Sequence, residues 1–173
     1  VDNGGIANGG ADTLGEVIEI NINPVNDSDP VADNESCTVA EGGTATEADL
    51  DAGTSLLDGD TDDDLPNDTV TVSLDTGPSF ASAFTLNADG TFSYTHDGTE
   101  NLTDSFTYTV SDADGGTTDT GTVSIAITPV NDNDPVAVDE SITVAEGGTA
   151  TTLVGGATSV LANDSDTDLP NDT

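Results

Sequence analysis

One segment of this chain occurs twice, and this repeat limits the possible folds more than any other feature. The sequence NPVNDSDPVADNESCTVAEGGTAT at 23–46 returns as TPVNDNDPVAVDESITVAEGGTAT at 128–151, a shift of 105 residues. A period of this length is too long for one coil of a solenoid and has the size of a small autonomous domain. The sequence therefore predicts a tandem array, with the tail of one repeat at 1–28, a complete repeat at 29–133 and the head of the next at 134–173.

Within the complete repeat, apolar and polar residues alternate in short runs that Gly, Asp and Asn turns separate. Phe106, Tyr108 and Val110 share one face of such a run, while the threonines between them take the other face. This alternation predicts strands with one buried and one solvated face. The predicted strands are 36–40, about 44–57, 70–74, 84–86, 91–95, 104–110 and 121–130. Seven short strands are typical of an all-β fold, a Greek-key β-sandwich of the immunoglobulin type.

The charge of the chain excludes several classes of function. Its 173 residues include 35 Asp and Glu residues, one His and neither Lys nor Arg, so the formal net charge is −35. Without cationic side chains the protein cannot neutralise phosphates, which excludes nucleic-acid binding and attraction to anionic membranes. Apolar runs cover only a few residues, so direct membrane insertion is not expected either. Because such a charge opposes compaction, we expect a bound cation, and the excess of Asp in turns favours Ca²⁺.

Strand direction predicts where these acids meet. If successive strands are antiparallel, the loops after the second, fourth and sixth strands lie at the end where the chain comes in, and the other loops lie where it leaves. The N-terminal end then collects Asn26, Asp27, Asp29, Asp60, Asp62, Asp64, Asp112 and Asp114. The C-terminal end collects Glu41, Glu100, Asp104, Asn131, Asp132, Asn133 and Asp134. The corresponding residues of the following repeat are Glu146, Asp164, Asp166 and Asp168.

Carboxylates gathered in two small volumes repel one another strongly unless a cation is bound. Ca²⁺ takes roughly six to eight oxygen ligands, so a few ions would convert each junction into a rigid joint. Alternating acids such as Asp60, Asp62 and Asp64 suit this chemistry, because extended backbone turns every second side chain the same way. The alternative is a solvated acidic surface without bound metal, as in salt-adapted proteins.

These residues also resemble a known family. The segments AEGG at 40–43, FTYTVSDADGG at 106–116 and VNDNDP at 130–135 are similar in order and type to bacterial cadherin-like (VCBS-type) tandem repeats of large RTX-type surface adhesins. The resemblance implies cadherin-like sandwiches joined end to end, with Ca²⁺ at each junction. For one junction it implies the ligands Glu41, Asn131, Asp132, Asn133, Asp164 and Asp166. For the preceding junction it implies Asn26, Asp27, Asp60, Asp62 and Asp114.

Together these observations predict a calcium-rigidified spacer of a long extracellular adhesin or surface fibre, located outside the cell or on its surface. The expected partners are neighbouring repeats of the same chain and sibling chains in a fibre. Catalysis is not expected, because the chain has no Lys or Arg, one His and no Gly-x-Ser-x-Gly motif. The alternative function is a ligand-binding or self-assembling module, for which the segment around Phe80 is the candidate loop.

Two single residues have plain structural interpretations. His96 continues the face of Phe92 and Tyr94 towards the end of a strand, which predicts a place at the rim of the sandwich. Cys37 stands where the next repeat has Ile142, so it is expected to be a small buried hydrophobic residue.

Overall fold

The computed structural model of this protein describes residues 17–113 and 115–168, and over this part of the chain it is a two-layer β-sandwich. The strands are β1 (Glu35–Ala40), β2 (Thr44–Thr46), β3 (Thr71–Thr76), β4 (Ala81–Leu86), β5 (Phe92–His96), β6 (Thr103–Ser111) and β7 (Asp119–Thr128). A four-stranded sheet with the order β1-β7-β6-β3 faces a three-stranded sheet with the order β2-β5-β4. The predicted all-β sandwich is confirmed. Across the same residues, no helix has the length and apolar character needed to cross a membrane.

The first and last strands of the sandwich lie side by side and run in the same direction. Their parallel register extends from Glu35 opposite Val123 to Ala40 opposite Thr128. Strand β6 pairs antiparallel with both β7 and β3. Because β1 and β7 begin at the same end of the sheet, the chain comes into the sandwich at one end and leaves it at the other.

The core lies between the two sheets and follows the predicted alternation. Phe106, Tyr108 and Val110 on β6 are each at most 1 % exposed, as their shared face predicts. The ring of Phe106 packs against Phe84 and Phe92, with centroid distances of 4.8 and 5.4 Å. The apolar side chains of β7 and the thiol of β1 are buried beside them. The prediction that the cysteine is a small buried residue is therefore also confirmed.

One close approach in this core depends on the absence of a side chain. Gly121 on β7 lies directly opposite Tyr108 on β6. A Cβ atom on Gly121 would lie 2.5 Å from the hydroxyl oxygen of Tyr108 and 2.6 Å from the carbonyl oxygen of Asp33. Glycine is therefore required here for space, so that the tyrosine hydroxyl can reach the chain segment before β1.

The second strand is shorter than predicted. It was expected to reach about residue 57, but β2 ends at Thr46 and a short 3₁₀ helix, Glu47–Asp49, follows it. The carboxylate of Asp49 accepts the N–H of Thr46, and the hydroxyl of Thr46 accepts the N–H of Ala48. These local hydrogen bonds satisfy backbone groups that a longer ladder would have paired, so the strand stops.

The prediction that His96 lies at the rim is wrong, because its side chain is only 1 % exposed. Its Nδ1 atom accepts the backbone N–H groups of Gly42 and Gly98, each at 3.2 Å. Both glycines have positive φ angles, 65° and 79°, and stand in turns at the same end of the sandwich. The imidazole is buried because these two turn N–H groups need an acceptor.

Candidate metal centres at the two ends of the sandwich

Three acidic residues meet at the end where the chain leaves the sandwich. Glu41 follows β1, Glu100 precedes β6 and Asp132 lies in the segment after β7, and one carboxylate oxygen of each lies within 4.8 Å of the others. Glu41 is only 8 % exposed, and its Oε2 atom accepts the N–H of Val130 at 3.2 Å. Within the described residues, Glu41 Oε1 and Glu100 Oε2 are buried without a hydrogen-bond partner. We call Glu41, Glu100 and Asp132 the C-terminal cluster.

The C-terminal cluster carries an electrostatic cost. Burial, together with the nearby carboxylates of Glu41, Asp168 and Asp132, raises the pKa of Glu100 above its ordinary value. Like charges at this distance disfavour the ionised form unless an opposite charge is placed between them. A divalent cation held by these oxygens would reverse that repulsion.

A second acidic group lies at the end where the chain comes in. One carboxylate oxygen each of Asp62, Asp68 and Asp112 lies within 4.8 Å of the others, and we call these residues the N-terminal cluster. Among the described residues, the Oδ2 atoms of all three are buried and have no hydrogen-bond partner. The Oδ1 atom of Asn26, in the segment before β1, is buried and unpartnered in the same way. Both clusters thus offer only oxygen atoms as ligands, and in both of them some of these oxygens are buried without a hydrogen-bond partner.

Asp68 is the member of the N-terminal cluster that the sequence did not predict. The backbone N–H of Leu65 donates to the carbonyl of Asp62, and the N–H of Asn67 donates to that of Asp64, so the chain turns back on itself. This turn returns Asp68 to the side of Asp62. The only signal in the sequence is the Leu-Pro-Asn-Asp segment, which indicates a turn but not its direction.

Other predicted ligands hold the linker segments in place. The Oδ2 atom of Asp64 accepts the backbone N–H groups of Asp27 and Ser28 at 2.8 and 2.7 Å. At the equivalent positions of the following segment, Asp168 Oδ2 accepts the N–H of Asn133 at 2.9 Å. The same side-chain-to-backbone contact therefore recurs at both ends of the sandwich. Each linker is attached to the loop that carries the alternating acids.

The contacts of Asp60 and Asp164 repeat this equivalence. Asp60 Oδ1 accepts the N–H of Asp33, and Asp164 Oδ1 accepts the N–H of Val138, both at 2.9 Å. Residue 138 is the counterpart of residue 33 at the shift of 105 that the sequence shows. In the same loop, Asp166 Oδ1 accepts the N–H of Asp168 at 3.0 Å. These carboxylates shape the loops, and each keeps a second oxygen for other contacts.

Asp60 also belongs to a third acidic group, which lies against the core. One oxygen each of Asp33, Glu35 and Asp60 lies within 4.8 Å of the others, and the Tyr108 hydroxyl lies 2.8 Å from Glu35 Oε1. Burial raises the pKa of Glu35 to about 8 and that of Asp60 to about 6. The hydrogen bond from Tyr108 lowers the pKa of Glu35, but the effect of burial is larger. Burial therefore favours the protonated form of Glu35 near neutral pH, which distinguishes this group from the two clusters at the ends of the sandwich.

The structure places the remaining predicted ligands as follows. Asp29 Oδ1 accepts the N–H of Thr117 at 2.8 Å, and hydrogen bonds from Thr117 lower the pKa of Asp29. Asn131, Asp134 and Glu146 are exposed in their segments. Asp114 lies outside the described residues. Asp104, which is predicted at the C-terminal end, is not among the three residues of the C-terminal cluster.

Asp104 is engaged in a contact that the sequence did not indicate. Its carboxylate accepts the backbone N–H groups of Ser79 and Phe80 at 3.0 and 2.8 Å, and the hydroxyl of Tyr94 at 3.1 Å. The side chain, on β6, therefore connects the segment between β3 and β4 with Tyr94 in the middle of β5. This is a structural role.

Replacing Asp104 with alanine is expected to lower the free energy of unfolding by about 2 kcal/mol, because four hydrogen bonds to a charged acceptor are lost, the fourth from the N–H of Ser105. Calcium affinity is expected to stay at the wild-type value. Urea unfolding and calcium titration by isothermal calorimetry measure the two effects separately. A loss of calcium affinity at unchanged stability would instead return Asp104 to the metal centre.

The comparison with protein families identifies this sandwich. The family model of the bacterial cadherin-like domain matches residues 26–129, which cover the N-terminal linker attachment at Asp64 and all seven strands described above. The chain belongs to the bacterial cadherin-like domain family. The predicted family is therefore confirmed.

Solved structures similar to this bacterial cadherin-like chain are extracellular domains of cadherins. The protocadherin GammaB4 extracellular domain is 22 % identical with a TM-score of 0.49, over 73 % of this chain and 21 % of that one. Drosophila N-cadherin EC1-4 is 20 % identical with a TM-score of 0.37, over 66 % of this chain and 27 % of that one. Protocadherin Gamma B7 extracellular cadherin domains 1-4 are 19 % identical with a TM-score of 0.40, over 66 % of this chain and 29 % of that one. The chain thus spans less than a third of each of them. No curated protein matches it.

Proposed function

We propose that this chain is a spacer segment of a long extracellular adhesin or surface fibre, and that Ca²⁺ stiffens its joints. One observation carries this proposal. The buried and unpartnered oxygens of Glu41 and Glu100 converge with Asp132 at the point where the chain leaves the sandwich. An acidic surface that is merely solvated has no reason to turn carboxylate oxygens inward without a partner.

The donor set suits a hard divalent cation. Both clusters consist of carboxylate oxygens, which Ca²⁺ prefers, and the chain has no Lys or Arg that would neutralise them instead. Glu41, Glu100 and Asp132 would hold the ion at one end, and Asp62, Asp68 and Asp112 at the other. A bound ion would supply positive charge there. The protein's part is to bring a turn, a loop and a linker segment to one point, so that fixing their carboxylates fixes the joint.

The arrangement of the strands explains why such a joint would serve a spacer. The two linkers leave from opposite ends of the sandwich, and Asp64 and Asp168 each attach one of them to an acidic loop. Domains joined in this way form a line, and each joint decides whether the line is stiff or flexible. Extracellular calcium modules bind at roughly 10⁻⁴–10⁻³ M, so the joints would be loaded outside the cell.

This proposal keeps the predicted division into a repeat tail at 1–28, a complete repeat at 29–133 and a repeat head at 134–173. The partners of the complete repeat are then the neighbouring repeats, and sibling chains where fibres form side by side. The role is mechanical and involves no catalysis. The recurrence of the linker contacts at positions 105 or 104 residues apart supports this division.

The alternative of a ligand-binding loop around Phe80 has less support. Phe80 is partly buried, its N–H donates to Asp104, and its carbonyl oxygen accepts the N–H of Asp97 and the hydroxyl of Tyr94. A loop fastened at three points presents little free apolar surface to a ligand.

A calcium titration tests the proposal directly. In EGTA, small-angle scattering is expected to show a flexible molecule, and millimolar Ca²⁺ is expected to give a rigid, elongated one with a higher melting temperature. Mg²⁺ at the same concentration is the control for ionic strength. If neither the scattering nor the melting temperature responds to Ca²⁺, the chain is an acidic sandwich without metal joints and the proposal fails.

The variant Glu41→Gln is expected to weaken calcium binding at the C-terminal cluster roughly tenfold, because the most buried charged ligand becomes neutral. Glu19→Gln, at an exposed position outside both clusters, makes the same charge change and is the matched control. Isothermal calorimetry measures the affinity, and urea unfolding in EGTA shows whether the fold is intact. Equal calcium affinities in the two variants would contradict the assigned site.

A further inference from the structure

The side-chain amide of Asn133 lies between carboxylates from both sides of the C-terminal joint. Its Nδ2 atom is 3.1 Å from Glu100 Oε1, 3.0 Å from Asp132 Oδ1 and 2.8 Å from Asp168 Oδ1. Glu100 belongs to the sandwich, Asp132 to the linker and Asp168 to the acidic loop of the following segment. One amide group therefore connects all three parts of the joint.

The orientation of this amide follows from its neighbours. The three surrounding atoms are carboxylate oxygens, which accept hydrogen bonds, so the nitrogen and not the oxygen of the amide must face them. Asp168 uses both of its oxygens on Asn133, with Oδ2 accepting the backbone N–H at 2.9 Å. Asp168 is only 1 % exposed, and the hydrogen bonds from Asn133 lower its pKa. The hydrogen bonds from Asn133 are thus the largest of the contributions that stabilise this buried carboxylate as an anion.

At the other end of the sandwich the described residues hold a shorter side chain in the place of this amide, and its hydroxyl group also hydrogen-bonds to Asp64. The counterpart of Asn133 is Ser28, whose backbone N–H donates to Asp64 at 2.7 Å. Asp64 receives a second backbone N–H, from Asp27, and its pKa is lowered by these backbone hydrogen bonds first. Asp64 is half-buried, whereas its counterpart Asp168 is almost fully buried. The two linker attachments therefore differ in the side chain at this position, Ser against Asn, and in the burial of the acid that it contacts.

We propose that Asn133 is a positioning residue, a side-chain clasp that holds the C-terminal joint in register by hydrogen bonds that need no metal. Hydrogen bonds to ionised carboxylates are among the strong ones, and several made by one planar amide fix an orientation as well as a distance. The C-terminal joint then keeps its geometry at calcium concentrations at which the N-terminal joint loosens. This inference goes beyond the proposed function, because it concerns how the joint behaves when calcium is chelated.

Amide hydrogen exchange in EDTA tests the clasp on the full chain. The reporters are the N–H groups of Val136 and Val138, which donate to Ser165 and Asp164 within the segment that follows the C-terminal joint, beside the loop that carries Asp168. Their counterparts Val31 and Asp33 make the same contacts at the N-terminal joint and act as internal controls. In the wild type, Val136 and Val138 are expected to exchange about tenfold more slowly than these controls.

Asn133→Ser reproduces the N-terminal joint and is expected to erase this difference without changing exchange at Val31 or in the core strands. Asn133→Asp keeps the shape but replaces the donor by a carboxylate, and is expected to loosen the joint at least as much. The reciprocal Ser28→Asn is expected to slow exchange at Val31 in EDTA. If Asn133→Ser leaves Val136 and Val138 unchanged, the clasp does not exist.

The same samples with saturating Ca²⁺ separate this inference from the calcium proposal. Exchange at Val136 that differs between wild type and Asn133→Ser in EDTA, and is equally slow in both with Ca²⁺, supports both proposals. A difference that persists unchanged with Ca²⁺ supports the clasp and removes the metal joint. Slow exchange that appears only with Ca²⁺, in wild type and variant alike, overturns the clasp and leaves the metal joint standing.

Discussion

Gly121→Ala is expected to lower the free energy of unfolding by about 3 kcal/mol, one of the largest effects of a single methyl group in this chain. The added Cβ would overlap the buried ring and hydroxyl of Tyr108 and the backbone carbonyl of Asp33. Neither neighbour is the free end of a flexible side chain. Tyr108 is fully buried, and its hydroxyl contacts both oxygens of Glu35 and the carbonyl of Leu56, so it has nowhere to move.

Gly77→Ala is the matched control for this variant. A Cβ at Gly77 meets only a methyl group of Leu74, at 3.9 Å, which is ordinary contact. Urea unfolding of both variants in EGTA, followed by tyrosine fluorescence and circular dichroism, gives the two free energies. We expect Gly77→Ala to stay within about 0.5 kcal/mol of the wild type. Equal losses in the two variants would show that Gly121 is not required for space.

Glu35→Gln is expected to change the pH dependence of stability. A carboxyl group whose pKa is higher in the fold than in the unfolded chain stabilises the fold below its ordinary pKa, and this contribution is lost as the pH rises through the folded pKa. Burial raises the pKa of Glu35 from 4.5 to about 8, so the wild type is expected to lose stability between these values. Glutamine imitates the protonated acid at every pH. The variant should therefore match the wild type near pH 4.5 and exceed it at pH 9 by on the order of 3 kcal/mol.

The difference between two unfolding curves isolates this effect from the repulsion of the other carboxylates. Urea unfolding at constant ionic strength in EDTA, from pH 4.5 to pH 9, is measured for Glu35→Gln and for the wild type. Glu19→Gln removes the same charge at an exposed position and is expected to show a small difference that does not vary across the range. A Glu35→Gln curve parallel to the wild type would mean that Glu35 is ionised in the fold at neutral pH.

Much of the fold could be predicted because the sequence alternates where the strands are long. From Phe106 to Val110 on β6 and from Gly121 to Ile127 on β7 every second residue is buried, so the period alone gives the strand and its inner face. The end of the second strand could not be predicted in this way. It is set by a capping box between Thr46 and Asp49, and the alternation of apolar residues carries no information about such side-chain-to-backbone hydrogen bonds. The period also gives no sign that His96 is buried, since it does not report the turn N–H groups that the imidazole accepts, one of them from Gly42, 54 residues away.

The acidic ends were predicted in location but only partly in membership. Strand direction alone brings Glu41, Glu100 and Asp132 to one end, and the structure places them together. Strand direction does not predict which carboxylates of an acidic loop face one another and which accept hydrogen bonds from the backbone. Asp64, Asp104 and Asp168 were predicted as ligands, yet each accepts backbone N–H groups that only the folded chain presents. Asp68 was missed because a turn brings it back to the cluster.

The parallel register of β1 and β7 has a consequence for a chain under tension. A pull on the two linkers draws β1 and β7 in opposite directions along their shared axis, because the chain comes in before β1 and leaves after β7. The six register pairs from Glu35–Val123 to Ala40–Thr128 are then loaded together, in shear, and cannot open one after another like a zipper. The strands next to the two linkers are thus the ones that bear the load, and the sandwich resists stretching along the line between its two linkers.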